Sequence, residues 1–202
     1  MTTFGGLLYV MEEINIKNII IGKQYEECEN YKNVIRIAKE KNININVVEA
    51  GQKVIIEDNL YFNILWPCST NIVNQNIINN NSMVCKLVYN KFSMLFTGDI
   101  EEIAEKEILN KYINLNILKS TILKVAHHGS KTSSIQEFLN AVRPKIALIG
   151  VGEENKFGHP SNITINNLKL INTQIYRTDK MGEIIIKTNG KKNLDVLHKF
   201  SK

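Results

Sequence analysis

No apolar stretch in this sequence approaches the roughly 20 residues needed to cross a bilayer, so no membrane-spanning helix is expected. A secretory leader is not expected either. Met1-Thr2-Thr3-Phe4-Gly5-Gly6 carries no basic residue, and Glu12 and Glu13 follow soon after. As written, the chain reads as soluble. Cysteine is scarce: Cys28, Cys68 and Cys85 are scattered, odd in number and free of any Cys-x-x-Cys spacing. That argues against a disulfide framework or a structural zinc knuckle and leaves the thiols as small, half-buried hydrophobes. There is no convincing Ser-His-Asp or Cys-His arrangement, which argues against a nucleophilic side chain. Internal repeats and long linkers are missing too, so residues 1–202 read as one domain.

What is present suits a globular protein, with 44% hydrophobic and 22% charged residues. The net charge of +5 and pI near 9.0 fit a polyanionic partner only weakly, because the chain is rich in Asn, Ile and Lys throughout. Lys187, Lys191, Lys192, Lys199 and Lys202 cluster near the C-terminus, either as a solvated face or as a nucleic-acid contact.

Strand and helix patterns alternate, which predicts an α/β protein. Helices are expected over residues 5–14, 24–41, 100–112, 133–142 and 162–171. Ser133 or Ser134 would cap the fourth of these, with Gln136 and Glu137 completing a capping box. Residues 53–56, 60–66, 83–89 and 92–97 read as consecutive strands, an antiparallel portion of a sheet, with a polar loop through Asn81 in their midst. Further strands are expected over 18–21, 45–48, 121–126, 145–151, 174–177, 183–188 and 194–200, with Thr178 to Gly182 as a turn.

In three places a buried strand ends and a polar, glycine-containing cluster follows at once. They are Phe96-Thr97-Gly98-Asp99, Val125-Ala126-His127-His128-Gly129-Ser130 and Phe157-Gly158-His159-Pro160. Ligands collect at the carboxyl ends of strands in α/β sheets, so three of the four histidines and one aspartate are expected to share a crevice. Taken singly, Asp99 could cap the following helix, the His127-His128 pair could be a surface pair, and His159 could be a loop residue. Taken together, imidazoles and a carboxylate suit zinc, manganese or iron.

The tracts Leu95 to Glu101, Leu123 to Ser133, Ile149 to Pro160 and Ile175 to Gly182 resemble, in that order, the ComEC/Rec2 branch of the metallo-β-lactamase fold. The resemblance implies an αββα four-layer sandwich. It implies a metal-dependent hydrolase of phosphodiesters, with two zinc or manganese ions in the complete site. Asp99 would bridge the metals, with His127 a ligand to one ion and His159 a ligand to the other. His128 would lie beside them as a second-shell or substrate-contacting, catalytic group. Gly129, Ser130 and Lys131 would line the cleft and hold a phosphate oxygen. Two metals would lower the pKa of bound water and clamp the attacking and leaving oxygens. In the family this domain is attached to a membrane channel for DNA uptake and is thought to degrade the strand that does not enter.

The sequence departs from the pattern at its start. The family's His-x-Asp-x-Asp-His precedes a Gly-Gly-Leu, and here Thr2-Thr3 stand before Phe4-Gly5-Gly6-Leu7. Relatives also carry a histidine near Asn81-Ser82, where this chain has none. The expectation is therefore a fold incomplete at its N-terminal side and a chain that is inactive or nearly so by itself. Two explanations stay open: a truncated domain that lacks an N-terminal segment, or a degenerate module that binds without catalysis. Among active readings, a small-molecule phosphodiesterase acting on phosphorylcholine esters competes with a DNA-degrading one.

Overall fold

The computed structural model describes residues 4–23, 29–112, 115–191 and 194–199. The chain opens with α1 (Phe4–Glu13), β1 (Asn18–Gly22), α2 (Glu29–Glu40) and β2 (Asn44–Val48). β1 and β2 pair in parallel from Asn18 opposite Asn44, which a strand–helix–strand crossover makes possible. Val34, Ile37 and Ala38 recur on one face of α2 and pack with Met11, Ile19 and Ile43. The expected first turn of α2, residues 24–28, lies outside the described residues, and so does Cys28.

A seven-stranded sheet follows, in spatial order β3-β4-β5-β6-β7-β8-β9. β3 (Lys53–Glu57), β4 (Leu60–Trp66), β5 (Val84–Tyr89) and β6 (Phe92–Phe96) are antiparallel, as the run of consecutive strands predicts. β7 (Ile122–Lys124), β8 (Ile146–Ile149) and β9 (Gln174–Arg177) then add in parallel to β6. Parallel neighbours need crossovers, and α4 (Glu102–Tyr112), α5 (Gln136–Val142) and α6 (Asn162–Leu170) supply them.

Side chains alternate across this sheet with a period of two. Leu65, Leu95, Leu123, Ala147 and Ile149 face α4, α5 and α6, where Ile108, Phe138, Leu139 and Leu168 close the largest core. Trp66 joins that core without any exposure, and its indole N–H donates to the Asn80 carbonyl at 2.7 Å. The opposite face is covered in two pieces. β1 and β2 lie over Ile64 and Cys85. A terminal hairpin, β10 (Glu183–Thr188) and β11 (Leu194–Lys199), covers Phe92, Ile122 and Ile146. With α1 and α2 packed on β1 and β2, the layers run helix, small sheets, large sheet, helix. The protein is a mixed α/β sandwich, as expected. Among the described residues, no strand joins the two small sheets.

Three local expectations change. The polar loop after Trp66 holds the short α3 (Ile77–Asn80), and its last two asparagines, Asn80 and Asn81, are buried. Asn81 accepts from the Val73 N–H and donates to the Val73 and Ile77 carbonyls, so its buried amide is satisfied. The segment expected as a turn contains α7 (Thr178–Met181). The serine cap of α5 is replaced by a tertiary one. Glu105 of α4 accepts the Ser134 N–H at 2.7 Å and the Ile135 N–H at 2.9 Å, while Ser133 donates to the Ala126 and Ser130 carbonyls. A buried carboxylate satisfies two N–H groups at the start of a helix where one hydroxyl would satisfy one.

Candidate active site

β6, β7 and β8 are adjacent and parallel, so their carboxyl ends lie side by side at one edge of the sheet. The segment after β6 carries Gly98 and Asp99, the one after β7 carries His127 and His128, and the one after β8 runs from Gly150 through His159. Hydrogen bonds tie the three together. The His127 N–H donates to the Gly98 carbonyl at 3.1 Å, and the Ser161 N–H donates to the Gly129 carbonyl at 2.8 Å.

The turn Ala126–Gly129 is a distorted 3-10 turn, with His127 at φ 48° and His128 at φ 54°. Left-handed backbone costs a residue with a side chain roughly 1–2 kcal/mol, and two in succession persist only where surrounding bonds impose them. Here the surroundings do so: Ser130 donates its N–H to the His127 carbonyl at 2.9 Å, and Ser133 holds the Ala126 carbonyl at 3.2 Å. The kink shortens the strand expected to reach Ala126, which ends at Lys124. It also sends the two imidazoles in different directions.

His127 faces His159, their rings edge to face with centroids 5.7 Å apart. Its Nδ1 is buried without a hydrogen-bond partner and lies 3.6 Å from a Glu101 carboxylate oxygen. His128 is held by its Nδ1 against the Gly150 carbonyl at 2.7 Å. That bond makes Nδ1 the protonated nitrogen of the neutral ring and leaves the Nε2 lone pair free. Nε2 stands 4.0 Å from Asp99 Oδ1. His159 is gripped through its backbone, since Asn155 accepts its N–H and donates to its carbonyl, both at 2.8 Å. Burial, then the nearby His127 and His128, holds His159 below the usual histidine pKa, with Asp99 opposing. A neutral imidazole is the form that binds a metal.

The structure thus brings the turns that bear these residues together, with His127 against His159 and His128 near Asp99. The expected phosphate-holding residues are placed differently from one another. Gly129 is buried, and Ser130 is buried with its hydroxyl bonded to that of Thr132 at 3.0 Å, while Lys131 is exposed. Thr2 and Thr3 lie outside the described residues. Ser82, near which some relatives of the resembled family carry a histidine, abuts Gly98: a Cβ on Gly98 would lie 2.6 Å from that of Ser82.

Three participants were not singled out from the sequence. Glu101 reaches toward His127 while Thr132 and Asn80 donate to its carboxylate. Lys124 is largely buried, its ammonium on the Val125 carbonyl at 3.0 Å; burial lowers its pKa while Asp99 opposes. Asn155 is the clamp on His159. An asparagine in a glycine-flanked loop was the available signal for the last, because such side chains bond nearby backbone. The first two depend on contacts that only the fold makes.

In donor chemistry the residues fit a zinc or manganese site, and the unpartnered, buried Nδ1 of His127 is a donor atom with no other employment. They fit only part of such a centre. Among the described residues, no three or more His, Cys, Asp or Glu side chains converge on a point that could hold a metal ion.

The chain is similar to three curated bacterial proteins. It is 31% identical over 175 residues to ComE operon protein 3 of Bacillus subtilis (strain 168), covering 87% of this chain and 22% of that protein. Competence protein ComA of Neisseria gonorrhoeae is 32% identical over 127 residues, 63% of this chain and 18% of its own length. Recombination protein 2 of Haemophilus influenzae (strain ATCC 51907 / DSM 11121 / KW20 / Rd) is 33% identical over 125 residues, 62% of this chain and 15% of its own. The chain therefore spans about a fifth or less of the length of these relatives. No family model matches it.

Proposed function

Because this chain is a homologue of one segment of the ComEC/Rec2 competence proteins, we propose that it is the hydrolytic domain of a DNA-uptake system, of the metallo-β-lactamase type. Its substrate is a phosphodiester, namely one strand of DNA. The observation that supports this best lies at the carboxyl ends of β6, β7 and β8, where bonded turns set His128 beside Asp99 and His127 beside His159.

Asp99 and His159 would hold metal, with His127 joining His159. A divalent ion held there would make water more acidic and offset charge on the phosphate. The chain's own residues do the rest. The Gly150 carbonyl fixes the tautomer of His128, so its free Nε2 can accept a proton or a hydrogen bond beside Asp99. Lys124 lies near Asp99, which opposes the lowering of its pKa by burial. Exposed Lys131 is free to meet a phosphate oxygen.

A second reading has support from one observation: no three donors converge among the described residues, which suits binding without turnover. A partner or a further segment that completes the donor set would separate the two, so this chain by itself is expected to hydrolyse slowly or not at all.

The test is metal content by elemental analysis of protein purified with zinc and manganese supplied, beside Asp99→Ala and His159→Ala. Bound metal that falls in both variants, with hydrolysis of single-stranded DNA or bis-p-nitrophenyl phosphate, supports the hydrolase. Hydrolysis of phosphorylcholine esters without DNA cleavage would shift the substrate. Absence of metal and of hydrolysis, with DNA binding retained, would favour the binding module.

A further inference from the structure

Phe157 is 73% exposed, the most exposed large hydrophobic side chain among the described residues. Leaving a phenyl ring in water forgoes the stabilisation that burial would bring, and Phe157 sits at the crevice rather than on a remote face. Its ring is nearly parallel to that of His159, with centroids 6.0 Å apart and planes 16° apart. The loop that presents it is anchored on both sides. Thr178 accepts the Val151 N–H at 2.8 Å and donates to its carbonyl at 2.7 Å, and Asn155 grips His159. Gly158, at φ 69°, makes the turn between the two rings. The loop thus holds an exposed aromatic plane one residue-pair away from a residue of the site.

We propose that Phe157 is a base-stacking residue: it receives an unpaired nucleobase of a single strand whose phosphate lies at the Asp99–His159 crevice. The proposal rests on the phosphodiester reading and narrows it to single-stranded nucleic acid. A paired base has its faces covered by its neighbours, so only an unstacked one can lie on the ring. A small phosphodiester with no aromatic group has nothing to place there. Stacking rather than charge carries the selection. Lys156 is exposed beside it in sequence, but Glu153 and Glu154 are exposed on the same loop.

The experiment compares binding of a short oligothymidylate, an abasic strand of the same length and the matching duplex, by fluorescence anisotropy at fixed salt, with zinc and with chelator. The intact chain is expected to prefer oligothymidylate to the abasic strand. Phe157→Ala is expected to lose about tenfold in affinity for oligothymidylate and little for the abasic strand, whereas Phe157→Trp retains the preference. Because Trp66 is the sole natural tryptophan and is fully buried, the emission of the new indole should be quenched by oligothymidylate and not by the abasic strand. Equal binding of both strands, unchanged by Phe157→Ala, would overturn the stacking role and leave the phosphodiester reading intact. Binding of neither strand would overturn both.

Discussion

At Gly129 the site's geometry depends on a missing side chain. Its φ is +82°, and a Cβ there would lie 2.6 Å from that of Pro160 and 3.1 Å from the Pro160 Cα. Gly129→Ala would therefore add left-handed strain and force apart the turn bearing His127 from the loop bearing His159. We expect a loss of about 2–4 kcal/mol in urea unfolding, with metal binding weakened as well. Glycine also frees the chain to place the Gly129 carbonyl on the Ser161 N–H at 2.8 Å. Asn155 offers a contrasting case, because it touches the site only through backbone. Asn155→Ala removes two bonds that orient His159, each worth about 1 kcal/mol net, but leaves the ring itself in place. Its expected signature is metal affinity reduced about 10-fold or more with a modest change in stability. Equal metal affinity in the variant, measured by competition with a chromogenic chelator, would reduce Asn155 to a loop-stabilising role.

Elements differ in how openly the sequence displays them. β3 to β6 were legible because each is a short apolar run bounded by turn residues, such as Asn90 at φ 52°. The strand ends that carry Asp99, His127, His128 and His159 were legible for the same reason, since buried runs stop at polar, glycine-bearing clusters. The cap of α5 was not. Ser133 and Ser134 look like caps locally, and only packing of α4 on α5 puts Glu105 at that helix start, 29 residues away along the chain from Ser134. The left-handed pair His127 and His128 was hidden too, because besides the Ser130 and Ser133 bonds it is held by Gly98 and Gly150, which follow other strands. The Glu105 cap has a consequence in pH. Burial raises its carboxyl from 4.5 to about 7, against the Ile135 and Ser134 N–H bonds, which lower it. The folded protein then keeps a proton that the unfolded chain has released. That contribution is whole below about pH 4.5 and is lost as pH rises through about 7, on the order of 3 kcal/mol in all. Urea unfolding from pH 5 to 7.5 should show this decline, and Glu105→Gln, which cannot ionise, should flatten it. A parallel decline in both proteins would assign the effect to other groups.

Across the whole molecule, the large sheet is well covered by helices on one face and only partly defended at its edge. β3 closes one side of the seven-stranded sheet, and Ile55 and Ile56 on it are 69% and 53% exposed. Val47 on β2, 54% exposed, lies across a groove lined also by Ile20 and Val54. Such an edge offers unpaired backbone beside apolar side chains, the arrangement that templates pairing with another chain. Lys53 and Glu57 bracket the strand, but Lys53 sits over the Tyr61 ring at 4.1 Å, which draws it back over its neighbour β4. The middle of β3 is left without a charge. Placing one there tests how far this edge governs the behaviour of the chain in solution. Ile55→Lys removes little burial, so its unfolding free energy should match that of the unaltered chain within about 0.5 kcal/mol. Its soluble, monodisperse fraction should rise, as read by light scattering during size-exclusion chromatography. If self-association persists unchanged in Ile55→Lys, the contact lies elsewhere, and the exposed groove beside Val47 becomes the next surface to alter.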